Sequence, residues 1–207
     1  MMEKGIFITF EGIDGCGKST QFNRVSEYFK TLGKKFIVVR EPGGTAVGEK
    51  IREILLDKKN DSMTSLAELL LYEAARAQIT EEVIKPALEE GTSVLCDRFF
   101  DSTSAYQGYA RGLGSELTDT LNKIATAGIK PDITFLLDLD SQTAYDRRHV
   151  RGEAEDRLEA LGNSFQDKVR AGYLECAKAD DRIKVIDASA TPDEIFEEIK
   201  KWLCEIL

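Results

Sequence analysis

The sequence predicts an α/β fold in which a parallel β-sheet is covered by helices on both faces. Three observations lead there. Five apolar runs of strand length recur along the 207 residues, at 6–10, 36–39, 94–96, 133–137 and 183–186. Longer segments with helical period separate them, and near-continuous apolar strands belong to sheets buried on both sides. No internal repeat, low-complexity tract or Pro/Ser-rich linker breaks this alternation, so 1–207 reads as one domain.

Taken in order, the run at 6–10 ends in Phe10-Glu-Gly-Ile-Asp-Gly-Cys-Gly-Lys-Ser-Thr20, and a helical segment follows over 18–32 with Gly33 as its stop. The second run leads into Arg40-Glu-Pro-Gly-Gly-Thr45 and a helix over 47–55. Ser65 and Glu68 read as a capping box ahead of Leu69-Leu70-Leu71. Gly91 marks a helix end before the third run, which opens into Asp97-Arg-Phe-Phe-Asp-Ser-Thr-Ser-Ala-Tyr-Gln-Gly108. Helices are expected over 116–127, closed by Gly128, and over 142–149 and 164–179. After the fifth run, Thr191-Pro192-Asp193-Glu194 supplies an N-cap, a proline at the first helical position and a capping-box Glu for a last helix.

Composition narrows the partners. With 28 Lys and Arg against 37 Asp and Glu, the net charge is −9. That balance favours neither nucleic acid nor an anionic membrane. No run approaches the roughly 18 apolar residues of a membrane span, and MMEKGIFITFEG lacks the apolar stretch of a signal peptide. Cys16, Cys96, Cys176 and Cys204 show neither C-x-x-C nor zinc-type spacing, so a cytoplasmic protein is expected. His149 is the single histidine, which argues against histidine chemistry at the centre of function.

Gly12-Ile-Asp-Gly-Cys-Gly-Lys18-Ser19 fits G-x-x-x-x-G-K-[ST] between a strand and a helix, the context of a phosphate-binding P-loop. Glycines let successive N–H groups turn towards one anion, and the helix N-terminus adds its dipole. Lys18 would serve the outer phosphates, and the Ser19 hydroxyl would ligate Mg²⁺. Cys16 within such a loop is not a nucleophile, because the loop acts through backbone amides.

Three destinations for the phosphate compete: water in a GTPase switch, water in a motor or partition ATPase, and a second substrate in a kinase. Asn122-Lys123-Ile124-Ala125 lacks the Asp of a guanine-reading N-K-x-D and falls mid-helix, against a GTPase. A kinase needs an acceptor site near the loop, and three segments suit one. Arg40–Thr45 follows the second strand, where doubly wound sheets place their crevice. Tyr72 and Arg76, four apart, share a helix face that either reads a base or is a core-edge Tyr with a surface Arg. Asp97 is placed as a Walker-B-like Mg²⁺ partner and Arg98 as a phosphate ligand. The charged stretch 147–161, RRHVRGEAEDRLEAL, is either a solvated, salt-bridged helix pair or a mobile lid bringing arginines to a phosphate.

Together FEGIDGCGKST, REPGGT, the Tyr72/Arg76 pair, DRFFDSTSAYQG and RRHVRG resemble the bacterial thymidylate kinases, from about Ile6 through the arginine-rich segment and weakly to the C-terminus. The resemblance implies a P-loop NTPase fold with a five-stranded parallel sheet and an arginine-rich lid. It also implies transfer of the ATP γ-phosphate to dTMP and a homodimer. ATP contacts would come from Gly12, Ile13, Asp14, Gly15, Cys16, Gly17, Lys18, Ser19 and Thr20. Asp14 resembles the carboxylate that contacts the dTMP sugar hydroxyl, Arg40 and Arg52 the arginines near its phosphate, and Arg98 the arginine bridging both substrates. Glu41 resembles a carboxylate that organises water and metal near the acceptor. Tyr72 stands where the family usually stacks Phe on thymine. Arg76 and Gln107 would bond the thymine edge, while Thr103 and Tyr106 would close around ring and sugar.

The chain departs from the family pattern at two places. Phe99 replaces the Tyr common after Asp-Arg, without consequence for the chemistry. One branch of the family carries an arginine inside the phosphate loop, where this chain has Gly15 and Cys16. The transition-state arginine would then come from Arg147, Arg148, Arg151 or Arg157, with Arg148 and Arg151 preferred beside Lys18 and Arg98 as catalytic residues. Another nucleoside or nucleotide kinase and a nucleotide-dependent switch are the remaining readings.

Overall fold

The computed structural model describes residues 5–151 and 156–207. Strand β1 (Phe7–Glu11) leads through the glycine-rich loop into α1 (Lys18–Thr31), then β2 (Phe36–Arg40) and α2 (Ala46–Leu56). Helix α3 (Ser65–Ile79) continues through a π-helical turn, Thr80–Ile84, into α4 (Lys85–Glu89) and β3 (Ser93–Asp97). Then come α5 (Phe100–Thr103), a π-helical segment Ser104–Ala110, α6 (Ser115–Ala125) and β4 (Ile133–Asp138). The chain closes with α7 (Ser141–Arg151), α8 (Asn163–Ala179), β5 (Ile183–Asp187) and α9 (Pro192–Ile206).

All five strands are parallel, in the order β2-β3-β1-β4-β5. Alternation of side chains along β1 builds two layers. Phe7 packs with Val94, Cys96, Ile79, Ile84 and Phe99 on one side. Ile8 and Phe10 join Val25, Phe29, Phe135 and Leu203 on the other. β1 pairs with β3 on one side and β4 on the other, so the order reverses there, and crevices in such sheets open outside the strands' carboxyl ends. Register sets Asp97 beside both Phe10 and Arg40, bringing the ends of β1, β2 and β3 together.

The expected strands and helices are present, and the last helix has its full capping box: Thr191 Oγ1 accepts from Glu194 N–H and Glu194 accepts from Thr191 N–H. The expected box at Ser65 and Glu68 is corrected. Thr64 caps α3 by accepting from Ala67 N–H at 3.3 Å. Glu68 is fully buried and takes hydrogen bonds from Gln107, Arg111 and Arg157. Charge-assisted bonds from a buried Arg157 and a half-buried Arg111 outweigh a local cap.

The two wide-turn segments had no counterpart in the periodicity. The second one crosses α8 at close range: a Cβ on Gly172 would meet the Tyr109 Cβ at 2.8 Å. Phe135 is fully buried at the centre of β4, with its ring centroid 5.5 Å from that of Phe10. Phe135→Ala is expected to cost about 3–5 kcal/mol, read as a lower urea midpoint at unchanged slope.

Candidate active site

The loop between β1 and α1 is built on backbone that only glycine tolerates. Gly12, Gly15 and Gly17 have φ of 134°, 93° and 99°. A Cβ on Gly12 would lie 2.5 Å from the Leu137 carbonyl oxygen, and one on Gly15 only 2.2 Å from that of Ala144 and 3.0 Å from Arg148 Cγ. The loop is thus pressed against β4 and α7. Lys18 folds back over it, donating to Gly12 O at 2.9 Å and Ile13 O at 3.2 Å. Its Nζ is also 3.4 Å from Asp14. Burial would raise the Asp14 carboxyl, but Arg98, Lys18 and Arg148 nearby hold it well below the usual carboxylate range. Burial pushes the Cys16 thiol up, away from the reactive thiolate.

Opposite the loop, β3 ends at Asp97, whose Oδ1 is buried without a hydrogen-bond partner among the described residues. Arg98 follows at φ 67°, a left-handed conformation costing a non-glycine residue about 1–2 kcal/mol. Its Nη2 donates to Asp14 at 2.8 Å and its Nη1 to the Tyr173 hydroxyl at 2.9 Å. The guanidinium also lies over the Tyr106 ring, 5.4 Å from the centroid. From the end of β2, Arg40 pairs with Glu49 at 2.9 Å, and Arg52 donates to Pro42 O at 2.9 Å. The Glu41–Pro42 peptide is cis.

Behind Pro42 lies a buried ionic cluster. Arg76, 1 % exposed, has Nε 2.8 Å from Glu41 Oε2 as an ion pair. Its Nη1 donates to Glu73 and to Thr103, and its Nη2 to Phe99 O. Burial, together with Glu73, pushes the Glu41 carboxyl up to about 7 despite Arg76. Glu11 is likewise pushed up to about 7, by burial and Asp101 against Arg98, Ser102 and the Phe99 amide.

Two cavities meet across this set. One, about 530 Å³ of space that opens to solvent, lies between Asp14, Glu41, Arg52, Tyr72, Arg98, Thr103, Tyr106, Gln107 and Leu158. The other, about 650 Å³, lies over Gly15, Gly17, Lys18, Ser19, Thr20, Arg40 and Asp97. Asp14, Glu41, Arg52 and Arg98 line both. A third hollow adjoins the loop on its other side, between Arg147 and Val150 of α7 and Ala190, Pro192 and Ile195 near α9. Such an arrangement suits two anionic ligands meeting end to end.

The thymidylate kinase family model matches residues 10–199. The thymidylate kinase of Thermosipho africanus is 52% identical over 195 residues, covering 94% of this chain and 96% of that protein. That of Chlorobaculum parvum is 49% identical over 203 residues, with 94% and 93% coverage. The crystal structure of thymidylate kinase from Ehrlichia chaffeensis superposes with a TM-score of 0.77 at 35% identity, over 97% of this chain and 99% of that one.

The chain belongs to the thymidylate kinase family.

Against the roles that the family resemblance implies, the structure gathers Asp14, Glu41, Arg52, Tyr72, Arg98, Thr103, Tyr106 and Gln107 around the first cavity. Arg40 lines the second. Arg76 sits behind the wall, among Glu41, Glu73 and Thr103, rather than lining either cavity. Of the arginine-rich segment, Arg148 is buried, 3.0 Å from Glu159, with its Nε unpartnered among the described residues. Arg157 is engaged elsewhere, donating to Glu68 at 2.6 Å and to Leu55 O at 2.8 Å. Arg151 ends α7; its side chain and residues 152–155 of the expected lid lie outside the described residues. Glu11, Glu73, Ser102 and Tyr173 escaped the sequence reading. The acid within Phe10-Glu11-Gly12, at the end of an apolar strand, was the signal available for the first.

Because the folded-state value for Glu41 is raised, its contribution to stability is present below about pH 4.5 and is lost as pH rises through about 7. Glu41→Gln is therefore expected to gain thermal stability relative to the parent at pH 8, by a few degrees, and to lose that gain at pH 4.5. Thermal unfolding of both proteins across this range checks the sign.

Proposed function

We propose that this protein transfers the γ-phosphate of ATP to dTMP, giving ADP and dTDP on the route to dTTP. The observation that carries the reading is the shared wall of Asp14, Glu41, Arg52 and Arg98 between a phosphate-loop cavity and an aromatic one. The loop amides, Lys18, Ser19 and Thr20 hold the donor phosphates, and the hollow by Arg147 and Pro192 takes the adenine. Thymine lies against Tyr72, with Gln107 at its edge and Tyr106 and Asp14 at the sugar. Arg76 supports the acceptor site through Thr103 and Glu41.

Transfer of this kind is mostly positioning and charge neutralisation. The acceptor phosphate oxygen is already anionic, so no general base is needed to free it for in-line attack on the γ-phosphorus as ADP departs. Arg98, bonded to Asp14 at rest, exchanges that partner for phosphate oxygens of both substrates. Arg148 adds the charge that an arginine in the loop supplies elsewhere in the family. Gly15 leaves its Cβ space to α7, so this chain needs the α7 arginine. Ser19 and the unpartnered Asp97 Oδ1 line one cavity and fit the few protein ligands Mg²⁺ takes. When bound with ATP, Mg²⁺ neutralises charge on the β- and γ-phosphate oxygens. The stretch 147–161 acts as the lid that keeps water from competing as acceptor.

The whole chain, 1–207, acts as one unit, cytoplasmic, with its four cysteines free. It works as a homodimer rather than on membranes or nucleic acid. Val47 and Ile54 of α2, Leu66 and Leu70 of α3, and Leu117 and Ile124 of α6 are exposed on helices that pack side by side, which supports this reading. Among the described residues no helix is long and apolar enough to cross a membrane.

ADP release from Mg·ATP is the test, with dTMP, dUMP, AMP, GMP, CMP and thymidine each offered as acceptor. Turnover is expected with dTMP, and with dUMP lower by the roughly 10–200-fold that one methyl contributes in an apolar pocket. Turnover with thymidine but not dTMP would overturn the proposal, and acceptor-independent hydrolysis would favour a switch. Arg148→Ala is expected to lower kcat on the order of 10³-fold with KM for dTMP little changed, measured in the same assay.

A further inference from the structure

Glu11, the last residue of β1, has no role in the chemistry above, yet it is fully buried and three donors converge on it. Its Oε1 accepts from the Phe99 amide at 2.7 Å. Its Oε2 accepts from the Ser102 hydroxyl at 2.6 Å and the Tyr173 hydroxyl at 2.8 Å. These donors come from the turn after β3, from α5 and from α8. Burying a carboxylate is costly unless its lone pairs are engaged, so this convergence is a built arrangement.

The chain of contacts leads to Arg98. The Tyr173 and Ser102 oxygens are 2.7 Å apart, and Arg98 Nη1 lies 2.9 Å from the first and 3.3 Å from the second. The backbone is gripped as well. Arg98 N–H donates to Phe10 O at 3.0 Å, and the next amide, that of Phe99, donates to Glu11. Two successive amides of the left-handed turn are therefore held by the end of one strand, the first by a carbonyl and the second by a side chain.

We infer that Glu11 is the positioning residue for Arg98. Its carboxylate fixes the strained turn through the Phe99 amide and the guanidinium through the Ser102 and Tyr173 hydroxyls. Arg98 is thereby aimed at the wall shared by the two cavities before either substrate arrives. The inference rests on the phosphoryl-transfer reading of that wall and adds what holds its bridging arginine in place. Asp14 and Tyr106 give the guanidinium one hold, on its Nη2 side. The hydroxyl pair supplies a second, and Glu11 orients both hydroxyls.

Glu11→Gln keeps the volume but offers one acceptor oxygen where two are used. It can satisfy the Phe99 amide or the hydroxyl pair, not both. Tyr173→Phe keeps the ring and removes one hydroxyl link. Steady-state kinetics with ATP and dTMP, alongside thermal unfolding, are measured for each variant and for the double. Each single is expected to lose kcat roughly 10- to 100-fold with KM for both substrates little changed, as for a misplaced group acting only in the transition state. The double should be no slower than the slower single, because both break one chain of contacts.

Unchanged kcat with a lowered unfolding temperature in Glu11→Gln would make the residue merely structural and overturn the inference, as would losses that multiply in the double. Should Glu11→Gln not fold, Ser102→Ala with Tyr173→Phe severs the hydroxyl links to the guanidinium while keeping the Phe99 amide bond, and full kcat there overturns the inference. A parent protein without dTMP-dependent turnover would instead remove the reading of the wall itself, and the inference with it.

Discussion

The site depends on how closely the phosphate loop lies against β4 and α7. Gly12 and Gly15 approach backbone carbonyls at distances that admit no Cβ, so loop, strand and helix form one packed unit. Lys18 is then close enough to bond the loop's own carbonyls, and Asp14 is presented to Arg98 across the gap. The same contact decides where Arg148 sits, since its stem fills the volume a side chain at position 15 would need. A larger residue there would separate α7 from the loop. Loop conformation and arginine placement are therefore settled by one steric fact.

From that unit the functional groups fan out along the carboxyl ends of the central strands. β1 brings Glu11 and the loop, β2 brings Arg40 and Glu41, and β3 brings Asp97 and Arg98. Parallel register sets these ends side by side, and the reversal of strand order at β1 opens the crevice. The π-helical segment then brings neighbouring Tyr106 and Gln107 to one cavity wall. Wide turns of this kind recur where adjacent residues must serve a single site.

The strands, most helices and the phosphate loop were legible because their signals are local: apolar period, glycine spacing, a cap at Thr191. What escaped was non-local. Glu68 has the sequence spacing of a capping residue, yet its partners Arg111 and Arg157 lie 43 and 89 residues away. Arg76 shares a helix face with Tyr72, but Glu41, which draws it inward together with Glu73 of its own helix, comes from a strand end. Arg157, one of four arginines in a charged run, is set apart by a buried acid on α3 and the Leu55 carbonyl of α2. Glu11 gave a hint as an acid ending an apolar strand, but its donors arrive from three segments that no local pattern connects. The wide turns were invisible for another reason: they continue a helical pattern with one residue more per turn.

The resting cleft carries its own counter-ions. Lys18 and Arg98 share Asp14, Arg40 holds Glu49, and Arg148 holds Glu159. In a protein of net charge −9, such a cleft offers little to a lone small anion, which must displace a tethered carboxylate to reach Lys18, Arg98, Arg40 or Arg148. A pair of nucleotides brings many phosphate oxygens at fixed spacing and replaces several carboxylates together. On the proposed reaction, occupancy then has a threshold in charge and in geometry, set by acids that turn away anything smaller than the two substrates together.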